Sequence, residues 1–209
     1  MLIDTAVFLE RIPGDAKRLL TRSVDAWLDA ARKRGSMPTR QDMGPAQLRG
    51  ISEYVSLFDY DGQSKLIFRL ASRDIIARLR QAPIGFNSLD ILSPALRPTI
   101  ERRLQLAASQ PCGYAPCYLV QDPKGDQHLS ITIMLPLAGD VPDKADHYMR
   151  VEYIGNLIDW SPHSRDEVFV DKAGSFGTAF DLGHGLPAEF SDEMQQSTAL
   201  MNAGSSDSE

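Results

Sequence analysis

Apolar positions first recur at helical spacing. From Asp15 to Arg34, Leu20, Val24, Trp27, Leu28 and Ala31 fall three or four residues apart, which predicts an amphipathic helix ended by Gly35. Upstream, Asp4 is placed to cap a shorter helix over Asp4–Arg11 with Val7 and Phe8 on one side, and Pro13–Gly14 breaks the pattern. Ser36–Pro45 carries two prolines and a glycine without periodicity, and is expected to run as an extended connector over the surface.

The period then shortens to two. Glu53–Tyr60 reads as a strand closed by the turn signal Asp61–Gly62, and Ser64–Ala71 as its antiparallel partner, with Leu66, Phe68 and Leu70 on one face and Lys65 and Arg69 on the other. Ser72–Arg80 returns to helical spacing. Gln81–Ser93 is irregular, yet Ile84, Phe86, Leu89, Ile91 and Leu92 are too apolar for an open loop and are expected inside. A helix from Pro98 to Ser109 follows, with Ile100, Leu104, Ala107 and Ala108 as its inner stripe.

Three strands complete the set: Tyr114–Gln121, Gln127–Leu135 after the turn Asp122–Gly125, and His147–Leu157. The order β-β-α-α-β-β-β predicts one α+β domain, a five-stranded antiparallel sheet with helices packed on one face and preceded by N-terminal helices. Its segments are 1–45 (helices and connector), 46–158 (the sheet domain) and 159–209, a C-terminal extension with a short strand at Glu167–Val170 and a disordered tail from Ser197.

The apolar share, 43% of 209 residues, suffices for one core. No window approaches a membrane helix, and acidic Asp4 and Glu10 stand where a secretory signal needs positive charge, so the expected location is the cytoplasm, without membrane insertion. With 22 basic and 28 acidic residues the net charge is −6, the wrong sign for a nucleic-acid partner. Cys112 and Cys117 are read as reduced thiols. On one strand they would point to opposite faces roughly 16 Å apart, beyond disulfide reach.

The run Trp27, Arg32 and Met37-Pro38-Thr39-Arg40-Gln41-Asp42-Met43-Gly44-Pro45 resembles the leader of a family of short alphaproteobacterial signalling proteins built on a single PAS domain. Ile67-Phe68-Arg69-Leu70-Ala71, Gly85–Leu92 and Leu135-Pro136-Leu137 are similar to that family's later segments, with Ser72 where the family has glycine. The likeness covers roughly residues 15–157. It implies a PAS-type sensor or adaptor without an output domain, acting in stress, cell-cycle or polarity signalling through another protein such as a histidine kinase or regulator.

A PAS core can hold a cofactor, and each kind should leave an attachment residue. No haem ligand stands on the Pro98–Ser109 helix, the cysteines do not suit flavin photochemistry, and His147, His163 and His184 lack zinc-finger spacing, so neither cofactor nor metal is expected. The candidates for lining a pocket around a small apolar ligand are Phe58, Phe68, Ile76, Phe86, Leu104, Tyr118, Ile131, Ile133 and Tyr153, each of which could equally be plain core. The stripe Leu20, Val24, Trp27 and Leu28 either covers its own domain or pairs with a second copy in a homodimer. No catalysis is expected. The alternative is a small-molecule hydrolase or transferase using Ser175, Asp181 and His184 of the extension, and a third reading is a sealed scaffold offering the polar face of its sheet to a partner.

Overall fold

In the computed structural model, which describes residues 2, 4–73, 75–76, 83–121, 127–141, 144–156 and 175–204, both N-terminal helices form as their patterns predict. The Asp4 carboxylate accepts the Ala6 and Val7 amides to cap α1 (Thr5–Arg11). Gly35, at φ 78°, ends α2 (Gly14–Arg34) in the left-handed conformation that costs glycine no steric clash.

Six strands form one antiparallel sheet in the order β2-β1-β5-β4-β3-β6. They are β1 (Val55–Tyr60), β2 (Leu66–Leu70), β3 (Gly113–Gln121), β4 (Gln127–Ala138), β5 (Ala145–Asn156) and β6 (Ser175–Phe180). Between β2 and β3 lie a 3-10 turn at Ser88–Ile91 and α3 (Arg97–Ser109), with Pro98 in its first turn, where a missing amide hydrogen costs nothing. The first five strands, ordered 2-1-5-4-3 with helices inserted after the second, make the fold α+β and PAS-like.

The sixth strand corrects the expected five. It comes from the C-terminal extension and pairs with β3 from Gly113↔Phe180 to Tyr118↔Ser175. The helix that follows, α4 (Ala188–Gly204), continues past Ser197, where disorder was expected, because Phe190 is fully buried and stacks 6.1 Å from Tyr114. The strand expected at Glu167–Val170 and the turn at Asp122–Gly125 lie outside the described residues.

Both chain ends meet on β6. Leu2 bridges Gly177, its amide donates to Glu193, and the Thr5 and Thr178 hydroxyls lie 2.9 Å apart. A β-carbon at Gly177 would stand 2.6 Å from the Ala115 carbonyl oxygen, a backbone atom that cannot move aside. Gly177→Ala is therefore expected to cost about 1–3 kcal/mol as an overpacking defect and to loosen β6 from β3. Faster amide exchange confined to β3, β6 and the N-terminal turn would show it.

Alternation along the strands is as expected, but the rows face opposite ways. Register places Val55, Val151 and Ile133 in one row and Leu57, Met149 and Leu135 in the next, on the face that α2 covers. Trp27, 1% exposed, donates its indole N–H to the Pro136 carbonyl at 2.7 Å. The other row, with Ser130, Thr132, Arg150 and Glu152, lies beneath the helical segment and is equally buried. Helices on both faces replace the expected single covered face, and no open polar face remains at these strands. Leu20 and Trp27 are buried in their own core, and Val24 and Leu28 are partly buried against it.

Three shorter stretches also differ from expectation. Met37 and Met43 of the connector are buried, and Pro38 accepts the Ala138 amide, so Ser36–Pro45 docks on β4 instead of crossing the surface. The β1–β2 loop spans five residues, because Asp61 gathers the amides of Gln63, Ser64 and Lys65 on one carboxylate oxygen. Leu70, Ile84, Phe86 and Ile91 are exposed; an extra residue at Arg69 shifts the β1–β2 register and turns Leu70 outward.

Candidate functional site

The inward-facing row of the sheet and the segment above it do not close completely. A cavity with about 40 Å³ of space for water-sized groups remains between them. Leu66, Pro116 and Met134 form its floor, and Leu89, Ile91, Leu92, Ile100 and Leu104 its roof. Ser88, Tyr114, Thr132 and Arg150 are also among its lining residues, although almost all of the surface facing the space is apolar. A mainly apolar hollow with a few polar lining residues is the usual make-up of a small-molecule site.

Arg150 dominates its electrostatics. The side chain is 5% exposed, and its guanidinium carbon lies 4.9 Å from the centre of the Phe58 ring and 5.4 Å from that of Phe68. Nη1 donates to Ser88 Oγ at 3.3 Å. Nη2 is 3.6 Å from Glu152 Oε2, an ion pair too long for a hydrogen bond, while Glu152 Oε1 accepts the Ser130 hydroxyl at 2.6 Å. Nε and Nη2 are buried without any hydrogen-bond acceptor. Two donors left unfilled in a desolvated site cost free energy that an acceptor would recover.

A polar chain leads outward from the cavity wall. The Tyr114 hydroxyl accepts from Arg103 Nη1 at 3.2 Å, Arg103 Nη2 donates to Glu193 of α4, and the same Glu193 oxygen holds the Leu2 amide. Burial opposes the charge on Arg103, yet Tyr114 and Glu193 outweigh it and keep the guanidinium protonated.

Of the residues expected to line a pocket, Leu104 is at the cavity, and Phe58 and Phe68 stand behind it against Arg150. Ile131, Ile133 and Tyr153 belong to the opposite face, where α2 lies. Ile76 and Phe86 are 40% and 56% exposed. Tyr118 pairs with Ser130 in the β3–β4 register. Arg150, Thr132, Ser88 and Tyr114 also line the cavity and were not among the residues expected there. Their signal was Met134 and Pro136 on the same row of β4, side chains that a water-facing row would not carry.

Cys112 and Cys117 are free and fully buried, and burial pushes the Cys112 thiol up to about 12. Since the thiolate is the reactive form, neither should react with a thiol reagent until the protein unfolds. Titration in native buffer should find no reactive thiol, and titration in denaturant should find both.

In the extension, Asp181 Oδ1 accepts the Gly183 and Gly185 amides at 2.7 Å each, and these backbone bonds hold its carboxyl below the usual range. The carboxylate thus organises its own loop, with the His184 carbonyl accepting from Gln110 at 2.9 Å. His147 Nδ1 sits 2.8 Å from Asp59 Oδ1, and His163 lies outside the described residues.

No protein-family model matches the chain, and no curated protein matches its sequence. Solved structures do. The LOV protein of Rhodobacter sphaeroides aligns at 12% identity over 51% of this chain and 64% of its own, with a TM-score of 0.40. The LOV domain of the blue-light photoreceptor Aureochrome1 aligns at 13% identity over 58% of this chain and 91% of its own, with a TM-score of 0.42. The Vibrio cholerae VqmA dimer aligns at 14% identity over 47% and 45%, with a TM-score of 0.39. The chain spans less than two thirds of the Rhodobacter and Vibrio chains. Among the described residues, no helix is long and apolar enough to cross a membrane.

Proposed function

We propose that this chain is a non-catalytic, cytoplasmic sensor or adaptor of the short single-PAS type found in alphaproteobacteria, and that it controls a signalling protein according to whether a small molecule occupies its core. The observation that carries this reading is the mainly apolar cavity under α3, whose lining also includes Ser88, Tyr114, Thr132 and Arg150. A ligand there changes the protein only to the extent that it binds two states differently. The chain Tyr114–Arg103–Glu193–Leu2 supplies a physical connection, because a shift of the cavity wall would be felt by α4 and by the N-terminus.

The test is hydrogen exchange on the full chain, with and without the small-molecule fraction of its native cell. Protection that appears in α3 and spreads to α4 and residues 2–11 supports the reading. Exchange unchanged by any fraction, together with a native mass spectrum showing no co-purified compound, would count against a ligand-controlled switch.

A further inference from the structure

We infer that the ligand of this cavity is an uncharged, apolar molecule of the size of a dissolved gas such as dioxygen; this rests on the ligand-binding reading above and names the class of compound. The space, about 40 Å³, corresponds to about three water-sized groups, which sets the upper size. Leu66, Leu89, Ile100, Leu104 and Met134 supply hydrocarbon and thioether walls, and almost all of the surface facing the space is apolar. Arg150 brings no charge to an occupant, because its Nε and Nη2 have essentially no accessible surface and Nη1 is engaged by Ser88.

Size and polarity together decide between occupants. A buried water needs about two to four polar partners, which walls of this kind do not supply, so the space stays dry. An ordinary metabolite exceeds the space, and a charged molecule would lose its hydration without replacement. A small apolar molecule gives up little hydration and gains dispersion contacts with walls that otherwise face a void. The way in is short, because Ile91 lines the space and is also 51% exposed, at the surface of the 3-10 turn. With so few atoms the affinity is at best about millimolar, so occupancy follows the dissolved concentration and is not saturated by traces.

The experiment follows methyl signals of the purified full chain by NMR under pressurised xenon, dioxygen and, as a pressure control, helium. Xenon should shift the methyls of Leu89, Ile100 and Leu104, and paramagnetic dioxygen should broaden the same signals more than those of Ile133 and Val151 on the opposite face. Helium should leave all of them in place, as should cyclohexane, which is too large for the space. Leu104→Phe fills the cavity and should reduce the xenon and dioxygen responses at least about fivefold. Leu104 is 1% exposed and its enlargement strains the core, so Leu92→Phe, at a partly buried position of the wall, is measured beside it.

The outcomes separate the two readings. Responses confined to the cavity methyls and lost in the filled variants support the inference. Responses that persist in both variants, or that are equal at Ile133 and Val151, place the gas elsewhere and overturn it. Cavity methyls silent to xenon and dioxygen, with a larger compound co-purifying by native mass spectrometry, overturn the small apolar ligand and leave the ligand-binding reading standing. Gas binding that leaves hydrogen exchange at α4 and residues 2–11 unchanged supports the ligand class and counts against control by occupancy. Silence in both measurements removes both.

Discussion

Trp27→Ala should destabilise the protein by about 3–5 kcal/mol, the range for deleting a large buried aromatic side chain. Trp27 is 1% exposed and covers the row of Ile133, Leu135, Met149 and Val151 that α2 shields from water. Its indole N–H also satisfies the Pro136 carbonyl near the C-terminal end of β4, so the substitution opens a cavity and strands an acceptor together. In a chain of this length each kcal/mol lowers the midpoint by about 2–4 °C. Trp27→Phe restores most of the volume without the donor and should cost about 1 kcal/mol for the lost hydrogen bond on top of any packing defect. Urea unfolding of the two variants separates packing from hydrogen bonding. If Trp27→Ala unfolds like the parent, α2 is an appendage and not a wall of the core.

The second large effect is expected at the buried pair. Removing one charge of a desolvated pair leaves the other without compensation, typically at about 3–5 kcal/mol, whereas removing both is often close to neutral. Arg150 and Glu152 are 5% and 3% exposed, so Arg150→Met alone should be severely destabilising. The double variant Arg150→Met, Glu152→Met should recover most of that loss. Unfolding free energies for the two singles and the double close the cycle. A double variant as unstable as the sum of its singles would mean that the two charges do not compensate one another.

These two sites sit on opposite faces of the same strands, and that division was only half legible in the chain. Alternation of Met149, Val151 and Tyr153 with Arg150 and Glu152 was plain, as was that of Ile131 and Ile133 with Ser130 and Thr132. Period two separates two faces but attaches neither to a neighbour. The apolar row was expected under the helices between β2 and β3, with the polar row toward water or a partner. Instead α2 takes the more apolar row, and the mixed row closes under α3 around the cavity. The expected pocket therefore held Ile131, Ile133 and Tyr153 from the wrong side and omitted Arg150.

The residues that carry the leader's resemblance are held to the sheet and to one another by specific hydrogen bonds. Trp27 donates to Pro136, and Pro38 accepts from Ala138, so the leader and Leu135-Pro136-Leu137 meet at one end of β4. Asp42 accepts both the amide and the hydroxyl of Thr39, and Arg34 pairs with it. Ser72, where the resembled family has glycine, accepts the Ile75 amide and donates its own to Ser56.

Local order could be read without coordinates wherever a residue acts on its near neighbours. Asp4 as a cap, Gly35 as a stop, Pro98 at a helix start and the successive strands all follow from steric and hydrogen-bonding preferences that reach a few residues along the chain. What required the tertiary structure was every question of which surface meets which: the sixth strand added at β3, the burial of Arg150, and the gap left under α3. Burial is a property of pairs of surfaces brought together from distant parts of a chain. No short-range pattern contains that information.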